Sequence, residues 1–345
     1  MAAATQGRVA AVLSRLMQAL PVVFGVVLVS FLLTRALPGD PAAYFAGDAA
    51  TPESIAETRA KLGLDKSMPE QFLIYVGDLL SGDLGVSLST GQPVTTELAR
   101  RLPASLELTL VALVVSCGIA IPLGVLAATR PGSWIDHLCR VLVTAGVSLP
   151  TFFTGVALIY VFYYLLGVAP SPIGRLDFVY LEPDRVTGFF LIDAALAGDF
   201  ETWLGALEQL ALPAATLALF TLAPLARMTR AAMLSALSSD YVRTAKAAGL
   251  TTGKVLFGYA FRNALLPVVT TLGMVFSFTL GANVLVEKVF AWPGIGSFAV
   301  EALVASDYAA VQGFVLCMAL LFVALNLVID MAYAMIDPRI GFAAK

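Results

Sequence analysis

Residues 108–129 read LTLVALVVSCGIAIPLGVLAAT, an uncharged run enclosed by Glu107 and Arg130. As a helix rising about 1.5 Å per residue, this stretch is about 33 Å long, enough to cross roughly 30 Å of hydrocarbon. Five more uncharged runs share the property: Leu16 to Thr34, Val141 to Gly174, Gln209 to Ala226, Asn263 to Val286 and Tyr308 to Ile329. With 59% hydrophobic residues, 13% charged residues and a mean hydropathy of +0.87, the chain is too apolar for a soluble globular domain.

The run from Val141 to Gly174 holds Pro170 and Pro172, so its helix should end near Gly167. The expected fold is all-α and membrane-embedded, with about six transmembrane helices near 13–35, 105–129, 140–167, 208–228, 263–287 and 308–335. Arg8 and Arg15 imitate the basic start of a signal peptide, but the following apolar run is too long and lacks a small-residue cleavage site. It reads as an uncleaved first span. Cys117, Cys139 and Cys317 follow no metal-ligand spacing, and neither a disulfide nor a metal is expected of them.

Charge placement orients the spans. With the N-terminus in the cytoplasm, 12 of 21 basic residues fall inside, while six of the remaining nine lie in the long first loop, which translocates regardless of charge. Of the acids, only Asp136, Asp240, Asp330 and Asp337 fall inside. Both termini are therefore expected in the cytoplasm. The first loop, about 36–103, reads as a folded extracytoplasmic cap because it mixes turn clusters with amphipathic pieces such as Glu53 to Leu62. A second outer loop, about 167–208, mixes acids with Phe178, Tyr180, Phe189, Phe190 and Trp203, either an interface belt or a docking surface. No repeat or separate soluble domain is visible, so 1–345 is read as one transmembrane domain.

Between spans four and five, about 229–262, residues 238–257 read SSDYVRTAKAAGLTTGKVLF. Ser239 or Asp240 can cap a helix, Gly249 can end it in the left-handed region, and Thr251 or Thr252 can cap the next. About eight residues are too few for a stable isolated helix, so Tyr241 to Ala248 must pack against something. Ala245, Ala247 and Ala248 would let a partner come close. The local pattern fits a surface helix packed on its own subunit equally well.

This segment resembles the coupling helix of importer-type ABC permeases: Arg243-Thr244-Ala245 stands at the family's E-A-A triplet, Gly249 at its glycine and Pro267 at a later proline. Arg243 replaces the triplet glutamate and Arg262 occupies the nearer proline position, departures that point to the dipeptide and oligopeptide branch. Four further segments resemble that branch: Leu37 to Pro41, Ser148 to Phe152, Val289 to Gly296, and Asp307-Tyr308 with Asp337-Pro338-Arg339. Together they cover nearly the whole chain.

The resemblance implies a non-catalytic permease subunit in the bacterial cytoplasmic (inner) membrane. It implies coupling to an ATPase through Tyr241, Arg243, Thr244, Ala245, Lys246 and Gly249. Its partners would be a second homologous permease, two ABC ATPase subunits that bind ATP and Mg, and an extracytoplasmic substrate-binding protein. No cofactor is expected in this chain, which has no G-x-x-x-x-G-K-[ST] phosphate loop, and no nucleic-acid partner is expected either.

Arg227 and Arg230 could pair with acidic ATPase residues or anchor at lipid headgroups. Glu287 and Asp330 are placed at span ends, leaving the spans nearly free of ionisable groups, which disfavours an ion-coupled carrier. His137 reads as a solvated loop residue. A stand-alone carrier or channel is supported only by span count, and an intramembrane enzyme lacks any H-E-x-x-H or paired intramembrane aspartates. The solute stays open among dipeptides, oligopeptides, nickel chelates and glutathione-like molecules.

Overall fold

The computed structural model describes residues 17–18, 20–33, 35, 42, 51–61 and 63–336. The Leu37 to Pro41 and Asp337 to Arg339 segments, both chain ends and Asp330's side chain lie outside the described residues.

The helices, in chain order, are α1 (Leu20–Leu33), α2 (Pro52–Lys61), α3 (Met68–Leu80), α4 (Val94–Thr129), α5 (Trp134–Ser148) and α6 (Thr151–Leu158). They continue with α7 (Phe190–Ala197), α8 (Phe200–Leu237), α9 (Asp240–Ala247), α10 (Arg262–Val289), α11 (Ile295–Val304) and α12 (Tyr308–Ile336). Wider π turns extend α6 over Ile159–Leu165 and precede α10 over Lys254–Phe261. Among the described residues four helices are long and apolar enough to cross a membrane, and the bent pair of α5 with α6 has the length and composition of a broken fifth span or a re-entrant loop. The first predicted span, 13–35, falls on α1.

The third predicted span, 140–167, is not one straight crossing: α5 and the α6 segment meet at 105°. The cause is Pro150, which has no N–H to continue the α5 ladder and bars Leu149 from helical backbone. Leu149 is accordingly extended, at φ −106° and ψ 134°. As expected, the second half ends at Gly167, whose φ is +62°. The helix that carries predicted span four extends beyond it at both ends: α8 has 38 residues, about 57 Å at 1.5 Å per residue. The helix therefore continues to Leu237, past the loop start near 229 that the sequence suggests.

The chain divides into two compact units. Among the described residues, one comprises Ala104–Pro293 with 325–336; the other comprises those between 17 and 103 with Gly294–Ala324.

In the first unit α8 is central. Of its most apolar stretch 67% is buried, against 39% in α4 and in the Lys254–Val289 helix. Its buried face alternates leucines (Leu210, Leu217, Leu222, Leu225) with small residues, Ala214, Ala218, Ala223 and Ala226 among them, and the small ones let backbones approach without a large side chain between them. Such an approach occurs at Gly124 of α4, where an added Cβ would sit 2.7 Å from Thr229 Cβ and 2.9 Å from the Ala226 carbonyl oxygen. Gly124→Val should separate α4 from α8 and cost about 1–3 kcal/mol of overpacking. A lower thermal unfolding temperature in detergent is the expected result, and an unchanged one would contradict the packing described.

At the end of this unit remote from α9, Glu107 of α4 pairs with Arg175, which lies 3.6 Å over the Phe190 ring and donates to the Gly188 carbonyl at 2.9 Å. Glu107 also accepts the Leu191 N–H at 2.8 Å. Burial opposes ionisation of Asp193, yet hydrogen bonds from Thr187 and Gly188 outweigh it and hold this carboxyl below the usual range. The segment 167–199 is thus pinned through charged groups. Glu287, expected at a span end, is fully buried: its carboxylate accepts from Ser105 at 2.5 Å and from Asn283 at 2.9 Å. Trp292 nearby donates its indole N–H to the Ala104 carbonyl at 3.0 Å.

In the second unit, Val94 and Leu98 pack with Ile295, Phe298, Ala302 and Ala310. Asp307 caps α12 through the Ala310 N–H and with its other oxygen holds Ser87 Oγ at 2.6 Å and Ser89 at 3.1 Å. One carboxylate thus ties the turn before α4 to the start of α12.

Candidate functional site

The candidate site is the short helix α9, carried where α8 and the Lys254–Val289 helix come together. Ser239 stands at its N-cap with extended backbone (φ −73°, ψ 156°). Its hydroxyl does not cap the helix as predicted, donating instead to the Ala236 carbonyl at 2.5 Å.

The C-terminus closes as the sequence indicates. Gly249 has φ +75°; its N–H donates to the Lys246 carbonyl at 3.0 Å and the Leu250 N–H reaches back to Ala245 at 3.3 Å. That pair of bonds is the Schellman closure, satisfying carbonyls a short helix would otherwise leave without donors.

One face of α9 is an anchor. Val242 and Ala245, one turn apart, are 0% and 5% exposed and join Val125 and Ala128 of α4, Met233 and Ala236 of α8, and Val255, Ala260 and Ala264. Leu250 packs against the same cluster. The other face carries Tyr241, Arg243, Thr244 and Lys246, all exposed, with Gly249 exposed beyond them. The two readings left open by the pattern are therefore compatible: the helix packs on its own subunit and still presents a free face. Of the residues expected to meet an ATPase, Ala245 points into the anchor and the other five are exposed.

Arg243 and Asp240 approach to 3.3 Å, but at 77% and 93% side-chain exposure the pair contributes little. The outward face is thus an aromatic ring, a hydroxyl and two cations, an arrangement suited to a polar groove carrying acidic or carbonyl acceptors.

A polar clamp lies beside the anchor. Asp136, on the first turn of α5, is fully buried and accepts from the Gly132 N–H at 3.0 Å, Arg140 Nη2 at 2.6 Å, and Arg230 of α8 at 2.5 and 3.1 Å. Arg230 is therefore engaged within its own chain, with a quarter of its side chain still exposed. Only the Asp136-x-x-x-Arg140 spacing, an i,i+4 pair, signals any of this in the sequence. His137 is exposed as expected, although on α5 and not in a loop.

Comparison with known proteins places these features. The profile described as "Binding-protein-dependent transport system inner membrane component" matches residues 120–342, and the N-terminal profile of the same type of membrane component matches 9–109. A probable D,D-dipeptide transport system permease protein of Escherichia coli is 45% identical over 93% of this chain and 94% of its own length. A di/tripeptide transport system permease protein of Pseudomonas aeruginosa is 43% identical over 93% and 95%. A solved structure, described as inward facing conformations of the MetNI methionine ABC transporter, matches 70% of this chain and 96% of its own at a TM-score of 0.51 and 20% identity. At that identity the likeness speaks for the fold alone.

Proposed function

The chain belongs to the family of binding-protein-dependent transport system inner membrane components, and from that premise we propose that it carries short peptides through the bilayer, driven by ATP hydrolysis on separate subunits. The observation that carries this reading is the two-faced helix α9: anchored by Val242 and Ala245, it offers Tyr241, Arg243, Thr244 and Lys246 to a cytoplasmic partner. An anchored helix moves with α8 and α10, so a force applied to its outer face is delivered to the spans. Peptides are the cargo because relatives at 40–45% identity are permeases for dipeptides or di/tripeptides.

In this reading the domain is single, crosses about six times, keeps both termini in the cytoplasm and pairs with a second permease. Two ATPase subunits bind ATP and Mg, and an extracytoplasmic binding protein delivers cargo. Mass spectrometry of the complex solubilised in mild detergent tests it: two ATPase chains and another permease should co-purify stoichiometrically. Recovery of this chain alone, still transporting after reconstitution, would make it a self-sufficient carrier.

Gly249→Val tests the coupling role directly. No atom lies within 4 Å of an added Cβ, so the penalty comes from the backbone: left-handed φ costs an L-residue about 1–2 kcal/mol, more when β-branched. The variant should reach the membrane at normal levels and lose most ATP-driven uptake. Normal uptake would remove the coupling assignment.

A further inference from the structure

Between α8 and α10 lies a cavity of about 320 Å³, at the lower end of the range for sites that hold small molecules. Phe220, Pro224 and Arg227 line it from one face of α8; Thr271, Met274 and Phe278 line it from one face of α10. Its walls are apolar apart from two groups. Arg227 is exposed, and among the described residues no carboxylate pairs with it, whereas Arg230 three residues on is engaged by Asp136. The Thr271 hydroxyl donates to the Pro267 carbonyl, which leaves its lone pairs to accept.

Pro224 bears on a backbone acceptor of the same stretch of α8. A proline inside a helix has no N–H to give the carbonyl four residues back. That carbonyl belongs to Phe220, which lines the same cavity. Phe220 and Arg227 are seven residues apart, about 10 Å along the helix axis at 1.5 Å per residue. An extended chain advances about 3.3–3.6 Å per residue, so the separation equals roughly three residues.

We infer that this cavity binds a zwitterionic peptide of two or three residues with apolar side chains, Arg227 reading its C-terminal carboxylate and the Phe220 carbonyl accepting from its ammonium group. Met274 and Phe278 take the side chains. A guanidinium suits this role because it presents paired donors to a carboxylate and stays charged. The inference rests on the reading of this chain as a peptide permease and adds where, and by which residue, cargo is held in the membrane.

The test uses the full complex in lipid nanodiscs without binding protein, probed with radiolabelled tripeptide Ala-Leu-Phe and its C-terminal amide. The wild type should bind the free acid at least tenfold more tightly than the amide. Arg227→Gln should weaken the free acid about tenfold or more and erase that preference, while Arg227→Lys restores part of it, with ATPase and partner permease still co-purifying. Equal affinity of wild type and Arg227→Gln for the free acid would overturn the inference, as would an anionic phospholipid lost from the variant in native mass spectrometry while peptide binding stays unchanged. ATP-driven uptake of the same peptide, with binding protein present, separates the two levels. Absence of uptake by wild type sinks the peptide reading and this site together, whereas uptake insensitive to Arg227→Gln sinks the site alone.

Discussion

Val242→Asp is expected to abolish ATP-driven uptake while the chain still inserts in the membrane, and to reduce co-purifying ATPase at least tenfold. Val242 is fully buried among small and branched side chains at the junction of α4, α8 and α10. Removing a buried valine forfeits about 1.5–3 kcal/mol, and a carboxylate in its place meets only apolar side chains in the cluster, with no donor to offset its desolvation. An eight-residue helix has no stability of its own to draw on, so α9 must leave its seat or melt. Val242→Ala should do less, because the cavity is one small side chain and Ala245 still anchors the next turn. Full uptake by Val242→Asp at normal expression would show that the anchored face is not needed for coupling.

Much of this site was legible in the sequence because its signals are local. Gly249 could be assigned the left-handed conformation since the residues before it form a helix and a threonine pair follows, and the Schellman bonds from Gly249 and Leu250 agree. The direction in which α9 faces was not legible: an eight-residue stretch with alanines on several sides does not say which alanine is buried, and Ala245 turned inward where Ala247 and Ala248 did not.

The spans divide in the same way. Uncharged length located α4, α8 and α10, but hydropathy carries no direction, so the 105° turn at Pro150 was hidden inside one apolar run. Long-range polar pairs were least visible. Glu107 with Arg175 is separated by 68 positions, Glu287 with Ser105 by 182, and Asp136 with Arg230 by 94. No periodicity reports such pairs. Each buries a carboxylate that uncharged run length leaves at the edge of a span or in a loop.

The Asp136 clamp gives the second large effect. Asp136→Ala removes a fully buried acceptor of four donors and leaves Arg230 and Arg140 facing each other without a counter-charge. Breaking one partner of a buried ion pair typically costs about 3–5 kcal/mol; the lower end applies here, since the Arg140 and Arg230 side chains are 57% and 25% exposed and can turn toward solvent. The functional loss should exceed what instability alone predicts. Arg230 is one turn from Met233, which seats α9, so freeing α8 from α5 loosens the anchor while α9 itself is untouched. Peptide carried per ATP hydrolysed by the reconstituted complex should fall several-fold even at temperatures where the variant stays folded. Arg230→Gln combined with Asp136→Asn removes both charges of the main pair, so the double variant should lose less stability than the two single variants' losses sum to. If it regains stability without regaining coupled transport, the clamp itself transmits motion; if transport returns with stability, the clamp only holds the helices together.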